Sequence, residues 1–237
     1  TSMNVKCKGI IFDVDGTLAE TEELHRAAFN STFKKNFIDW FWSPEIYREL
    51  LNISGGKERL MHYEHLQSGE IKTKNKYVLM RLHAQKTKAY ARSLYKTKIK
   101  ARPGVIKLIE QAKAKKIKLG IATATSLTNV ESLVENIWGT PLYETFGAVA
   151  TSDEVSLKKP SPEVYKLVLK KLRLEPRHCI AIEDSLNGMK SATDAGLKTI
   201  ITPSFYTKND DFSSADLVLS SLVEIDLSKT NCQAAVA

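Results

Sequence analysis

The chain has 237 residues, 43% hydrophobic and 26% charged, an ordinary globular composition that allows one large domain or two modest ones. No apolar run is long enough to cross a bilayer and no signal peptide opens the sequence, so a membrane-embedded protein is not expected. The formal charge of +8 is uneven: residues 70–118 hold 16 Lys and Arg against two acids, Glu70 and Glu110, and the rest of the chain is net acidic.

Thr1-Ser2 ahead of Met3 reads as a cloning scar and is left out of fold reasoning. Cys7, Cys179 and Cys232 are far apart and form no CxxC, which suits a reduced, cytoplasmic protein, or a plastid stromal one if a transit peptide has been removed. The basic segment has three readings: a solvated lysine-rich helical surface, a field that draws in an anionic small molecule, or a nucleic-acid-binding face. No helix-turn-helix, zinc or aromatic stacking signature accompanies the charge, which disfavours the third.

In chain order, short apolar runs occupy 9–12, 119–122, 148–150, 179–182, 199–201 and 217–219. They are too short for helices and often β-branched, so they predict buried parallel strands. Amphipathic helical patterns fall at 105–115, 163–172 and 186–195, the first after Pro103-Gly104, the second after Pro162 and the third ending at Gly196. Alternating strands and helices predict an α/β sheet with crossover helices. Residues 21–97 are mainly helical in periodicity, and about 75 residues are too many for a structureless loop. They predict a helical subdomain inserted after the first strand, with hinges near 18–21 and 96–102.

Ligands of open α/β sheets bind at the carboxyl ends of strands. The first strand ends in Asp13 and Asp15, and the turn at Gly16 can bring Asp15 over the site. The second ends in Thr123-Ala124-Thr125-Ser126, hydroxyls and free backbone N–H groups at a helix start. Lys158-Lys159-Pro160 follows the third, and Glu183-Asp184-Ser185 the fourth. Each alone reads as a cap or a turn. Together they gather carboxylates, a lysine and hydroxyls on one edge. Oxygen-only ligands suit Mg²⁺, which brings substrate phosphate with it, so the set predicts phosphoryl transfer with a covalent option.

FDVDGTLAETEELH, IATATS, KKPSPEVY and IEDSLNGMKSATDAG, in this order and at these strand ends, resemble the four motifs of the haloacid dehalogenase-like hydrolases. The resemblance covers essentially the whole chain. It implies a Rossmann-like core over 3–18 and 99–230, with a small all-helical cap at 19–98. It also implies that Asp13 attacks phosphorus, that Asp15 shuttles the proton, and that Thr123 and Lys159 hold the phosphoryl oxygens. Mg²⁺ would be held by the Asp13 carboxylate, the Asp15 backbone carbonyl and Asp184, with Glu183 either joining them or standing behind.

FDVDGTLAETEELHRAAFN with DWFW, YRELL and SGGKER resembles the CbbY-like branch, which implies a sugar bisphosphate such as xylulose 1,5-bisphosphate, one phosphate cleaved and the other clamped. For the substrate side we expect Gly55, Gly56 and Lys57 at a glycine turn, His83 and Lys86 on one helix face, Glu20 and His25 near a hinge, and Ala124, Thr125, Ser126 and Asn129 around a remote phosphate. The competing readings are a solvated face for Lys86, a structural role for His83 and a plain helix–helix turn at 54–59. β-Phosphoglucomutase is the nearest alternative within the family. Thr17 after Asp15-Gly16 is the usual phosphatase residue where mutases carry Val, and it favours hydrolysis. Dehalogenase chemistry is disfavoured by the second aspartate, and phosphonatase chemistry by the glycine turn and the absence of a persuasive buried lysine in the cap. A basic nucleic-acid-binding module with an inactive site is the alternative of a different class. Overall we expect a monomer that takes a small phosphorylated sugar, with no nucleic acid or membrane partner. His62 and His65 share a face but lack a third ligand for zinc. Trp40, Phe41 and Trp42 read as packing, and Ser185 and Asn187 as helix caps.

Overall fold

The computed structural model describes residues 7–68 and 76–227. The scar at 1–2, the ends of the expected core at 3–6 and 228–230, Cys232, Glu70 and the lysines of 70–75 lie outside the described residues.

Among the described residues the strands are β1 (Gly9–Phe12), β2 (Lys118–Thr123), β3 (Ala148–Thr151), β4 (Cys179–Glu183), β5 (Lys198–Ile201) and β6 (Leu217–Val218). All pair in parallel, in the order β3-β2-β1-β4-β5-β6. This is a doubly wound, Rossmann-like sheet. A parallel sheet is covered on both faces, which is why β1, β3 and β4 are buried throughout and read as unbroken apolar runs.

Side-chain alternation divides the core in two. Ile10 and Phe12 of β1 join Ile121, Ile180 and Ile182 on one face, under Val105, Leu108 and Ile109 of α5 (Val105–Ala114) and Val130 and Leu133 of α6 (Leu127–Trp138). Ile11 faces the other way with Ala122 and Ala181, under Val164, Val168 and Leu172 of α8 (Glu163–Leu172) and Ala192 of α9 (Leu186–Asp194). A short helix, α7 (Leu142–Thr145), leads into β3.

Besides α5, four helices stand between β1 and β2 and make up the insertion: α1 (Glu22–Lys35), α2 (Pro44–Leu50), α3 (Gly56–Ser68) and α4 (Lys76–Lys96). Pro44 takes the first helical position of α2, and Ser43 caps it by accepting from the Ile46 N–H at 3.2 Å. These helices enclose their own aromatic cluster of Phe29, Phe33, Trp42, Tyr47 and Leu60, and the core-borne Tyr206 packs into it. Of the aromatic triplet, Trp42 is fully buried but Phe41 is exposed, which corrects its reading as packing. His62 and His65 are exposed.

The helical insertion rests directly on the sheet domain. Glu58 pairs with Lys158 at 2.8 Å, Lys57 approaches Asp153 at 3.5 Å, and Asn187 donates to the Asn52 carbonyl at 2.8 Å. Asn187 is therefore a bridge and not a helix cap, whereas Ser185 does cap α9 through the Gly188 N–H. Most of the basic charge on α4 is solvated: Lys76, Arg81, Lys88, Arg92 and Lys96 are exposed. Lys86 alone of that run is buried, so the insertion does hold a buried lysine, contrary to the expectation from sequence.

Candidate active site

A cavity of about 350 Å³ lies between the carboxyl ends of the strands and the insertion. Asp13 follows β1 at its floor, buried, with Oδ1 accepting from Lys159 Nζ at 2.8 Å and Oδ2 from the Thr17 hydroxyl at 3.1 Å. Lys159, in the loop after β3, also donates to the Ala122 carbonyl at 3.0 Å and to Glu183 Oε1 at 2.6 Å. Burial works against this ammonium, but the charges of Asp13 and Glu183 outweigh it and keep it protonated.

Asp13, Glu183 and Asp184 bring carboxylate oxygens within 4.8 Å of one another. All three are buried, and burial is the main cause of their raised proton affinity; the Asp13 charge adds to it at Glu183, which rises to about 7, and at Asp184, while Lys159 works against it at Asp13. Glu183 Oε2 has no hydrogen-bond partner among the described residues. Asp184 Oδ2 accepts from the Ser204 hydroxyl at 2.6 Å. Gly16, at φ +84°, turns the chain beside it, and a Cβ there would stand 2.3 Å from that same oxygen. Hard oxygen donors crowded together, one of them unpartnered, fit a divalent cation, whose charge would relieve their repulsion.

Asp15 differs from this cluster. Its Oδ1 accepts from the Thr21 hydroxyl at 2.5 Å and meets His25 Nε2 at 2.8 Å, while His25 Nδ1 lies 2.7 Å from Lys86 Nζ. Burial alone would raise the Asp15 pKa, but His25, Thr21 and Lys86 override it and bring it down to about 2. Lys86 sits over the Phe29 and Tyr90 rings, and His25 stacks on Tyr90 at 3.9 Å. Burial pushes the Lys86 pKa down to about 7. Its solvated-face reading is thereby corrected: Leu79, Leu82, Lys86, Tyr90 and Leu94 share the buried side of α4.

Thr123 is buried at the end of β2, its hydroxyl accepting from the Thr125 N–H at 3.1 Å. Ser126 caps α6, and Asn129 donates from Nδ2 to the Thr125 hydroxyl at 2.9 Å while its Oδ1 is buried without a partner. With Ala124 these residues line the cavity, as do Gly55, Gly56, Lys57 and His83 from the insertion. Burial first, then Lys86, Lys57 and Lys158, depresses the His83 pKa to about 3, so its imidazole is neutral.

Glu20 is the exception among the expected residues. It is exposed and outside the cavity, and its Oε1 accepts from the Phe205 N–H at 3.2 Å and approaches Arg102 Nε at 3.8 Å. It follows the isolated bridge between Asp15 and Ala19, after which the chain has already turned away from the site. The sequence reading missed the lining residues Glu22, Arg48, Tyr206 and Thr207. Arg48 lies 5.5 Å over the Tyr206 ring with its Nε buried and unpartnered. An arginine within the polar face of a short helix carries no spacing signal that would have singled it out.

A family model described as haloacid dehalogenase-like hydrolase matches residues 10–202. Protein CbbY of Cereibacter sphaeroides is 45% identical over 218 residues, 92% of this chain and 94% of that protein. A crystal structure of a CbbY mutant from Rhodobacter sphaeroides in complex with xylulose-(1,5)bisphosphate is 44% identical, covers 92% of this chain and 96% of that one, and superposes with a TM-score of 0.86. A β-phosphoglucomutase structure from Clostridium difficile, 20% identical with a TM-score of 0.77 over 98% of this chain and all of that one, shares the fold.

Proposed function

We propose that this chain, which belongs to the haloacid dehalogenase-like hydrolases and is a phosphatase of that family, is a magnesium-dependent enzyme acting on a sugar bisphosphate, with xylulose 1,5-bisphosphate as substrate and an aspartyl phosphate as intermediate. The observation that carries the reading is Asp13, buried between the Lys159 ammonium and the carboxylates of Glu183 and Asp184, at the floor of a cavity whose opposite wall is cationic. The CbbY relative crystallised with xylulose-(1,5)bisphosphate supports the substrate.

In this mechanism an Asp13 carboxylate oxygen forms a bond to phosphorus as the bond to the sugar oxygen breaks. Asp15 gives the departing alkoxide its proton. It then takes a proton from water, whose oxygen attacks the phosphorus, and the bond to Asp13 breaks to release phosphate. The low proton affinity of Asp15 keeps it ionised, the form that the water-activating half requires. In the first half the incoming phosphate charge raises that affinity, as a nearby like charge does. Lys159 and the Thr123 hydroxyl hold the phosphoryl oxygens, so positioning and charge neutralisation carry most of the rate. Asp13, Asp184 and the backbone carbonyl of Asp15 would hold Mg²⁺, which when bound neutralises charge on the phosphoryl oxygens and the carboxylates around them.

The second phosphate would meet Lys57 and Arg48 on the insertion. Lys86 is committed to His25, so in this reading it acts on Asp15 more than on the substrate. The unpartnered Asn129 oxygen wants a donor, which a sugar hydroxyl offers and a phosphate oxygen does not. The insertion then acts as a cap that shuts water out of the cavity.

A phosphate-release screen with Mg²⁺ across sugar mono- and bisphosphates tests the reading. Xylulose 1,5-bisphosphate should exceed the glucose phosphates clearly. Conversion of β-glucose 1-phosphate to glucose 6-phosphate would replace it with a mutase. Salt-sensitive nucleic-acid binding without turnover would replace it with a binding module.

A further inference from the structure

Tyr165 has no part in the chemistry above, yet it is fully buried directly behind it. Its hydroxyl donates to Glu183 Oε1 at 2.6 Å, the same oxygen that accepts from Lys159 at 2.6 Å, and the Lys159 ammonium stands 5.4 Å from the centre of its ring. We propose that Tyr165 is a positioning residue of this site, which fixes Glu183 against Lys159 and so aims the lysine at the phosphoryl group carried by Asp13. The inference rests on the aspartyl-phosphate reading.

Lysine is a point charge on a flexible stem, and its direction is set by whatever its three N–H groups bond. Here all three are committed, to Asp13, the Ala122 carbonyl and Glu183. A phosphoryl oxygen arriving on Asp13 takes over the first of these. The two that remain decide where the third N–H points, and one of them is a main-chain carbonyl that cannot swing. Glu183 is the member that can. Its carboxylate lies within reach of Asp13 and Asp184, in the cluster suited to a cation, as well as within reach of the lysine. Its Oε2 has no partner, and it fills the place a side chain at Gly188 would take, 1.9 Å from a Cβ built there. Among the described residues, only Lys159 and Tyr165 hold this carboxylate through hydrogen bonds. Burial raises the Tyr165 pKa well above that of an ordinary phenol, so the hydroxyl remains a donor.

Tyr165→Phe keeps the ring and its packing and removes only the donor. Wild type and variant would be compared as Mg²⁺–trifluoroberyllate complexes by fluorine NMR and in steady-state hydrolysis, each also in a Glu183→Gln background. We expect kcat to fall about tenfold with KM for the phosphosugar within about twofold, and the fluorine resonances to move as the Lys159 hydrogen bond shifts. In the Glu183→Gln background the same change should alter kcat by less than about twofold, because the tyrosine acts through the carboxylate. An unchanged kcat, a lower kcat with identical fluorine resonances, or an equal loss in both backgrounds overturns the proposal. Failure of the unaltered protein to form any trifluoroberyllate adduct overturns the aspartyl-phosphate reading itself, and this inference with it.

Discussion

His25 joins two charged groups that belong to different parts of the fold: Nε2 lies 2.8 Å from Asp15 Oδ1 on the sheet domain, and Nδ1 lies 2.7 Å from Lys86 Nζ on α4. With the Lys86 ammonium donating to Nδ1, Nε2 carries the ring hydrogen toward Asp15 and a positive charge stands behind it. The insertion thus sets the proton affinity of a carboxylate it does not contain.

Lys86→Met should separate function from stability. Loss of the charge behind His25 should lower kcat about ten- to a hundredfold, as expected for weakened general acid–base work. The same change removes a buried ammonium whose desolvation outweighs its attraction to Asp15, and it should therefore stabilise the protein at pH 6. The folded protein releases the Lys86 proton near pH 7, whereas the unfolded chain keeps it to its ordinary 10.5. Between these values the unfolded state binds more protons, so wild-type stability rises with pH. The advantage of the variant is therefore full below pH 7 and fades toward pH 10, which urea titrations at several pH values can follow.

Added Mg²⁺ should stabilise the protein more at pH 8 than at pH 5. The Glu183 proton affinity is raised to about 7 in the folded state. Stability from its neutral form is complete below its ordinary value of 4.5 and is lost as pH rises through about 7. Cation binding favours the ionised carboxylates and offsets that loss. Thermal unfolding with and without Mg²⁺ from pH 5 to 8 measures it, and a shift in Tm that does not grow with pH contradicts the assigned cluster.

The Glu58–Lys158 pair links the insertion to the sheet domain and is partly buried at both ends. Pairs of this kind contribute about 0.2–1 kcal/mol. Glu58→Lys should raise KM a few-fold, and the exchange Glu58→Lys with Lys158→Glu should recover it. High salt should erode the wild-type advantage.

Lys57→Ala and Arg48→Ala should each weaken use of a bisphosphate by about tenfold more than use of the matching monophosphate, since only the former offers a second anion. Equal losses in kcat/KM on both substrates contradict the clamp.

The sheet was legible because its strands carry a strong local signal. Gly9–Phe12 and Cys179–Glu183 are short apolar runs closed by carboxylates, and they lie side by side in register. Asp13, Lys159 and Asp184 were legible because chain order places them at neighbouring strand ends. The insertion was legible as helix but not in its packing. Lys86 follows Leu82 by four residues and precedes Tyr90 by four, so the buried face of α4 was written in the spacing, yet the surrounding lysines hid it. Glu20 was misjudged because proximity to a hinge in sequence does not fix which way the chain turns. Arg48 and Tyr206 meet only through tertiary packing, 158 positions apart, and no local pattern announces such a contact.

The central claim is a covalent phosphate on Asp13. Enzyme mixed with a phosphosugar and Mg²⁺, quenched in acid during turnover and reduced with borohydride, should yield a peptide in which Asp13 has become homoserine, and Asp13→Asn should lose about a thousandfold or more of kcat. An unmodified Asp13 peptide under steady turnover, together with undiminished hydrolysis by Asp13→Asn, would contradict the account.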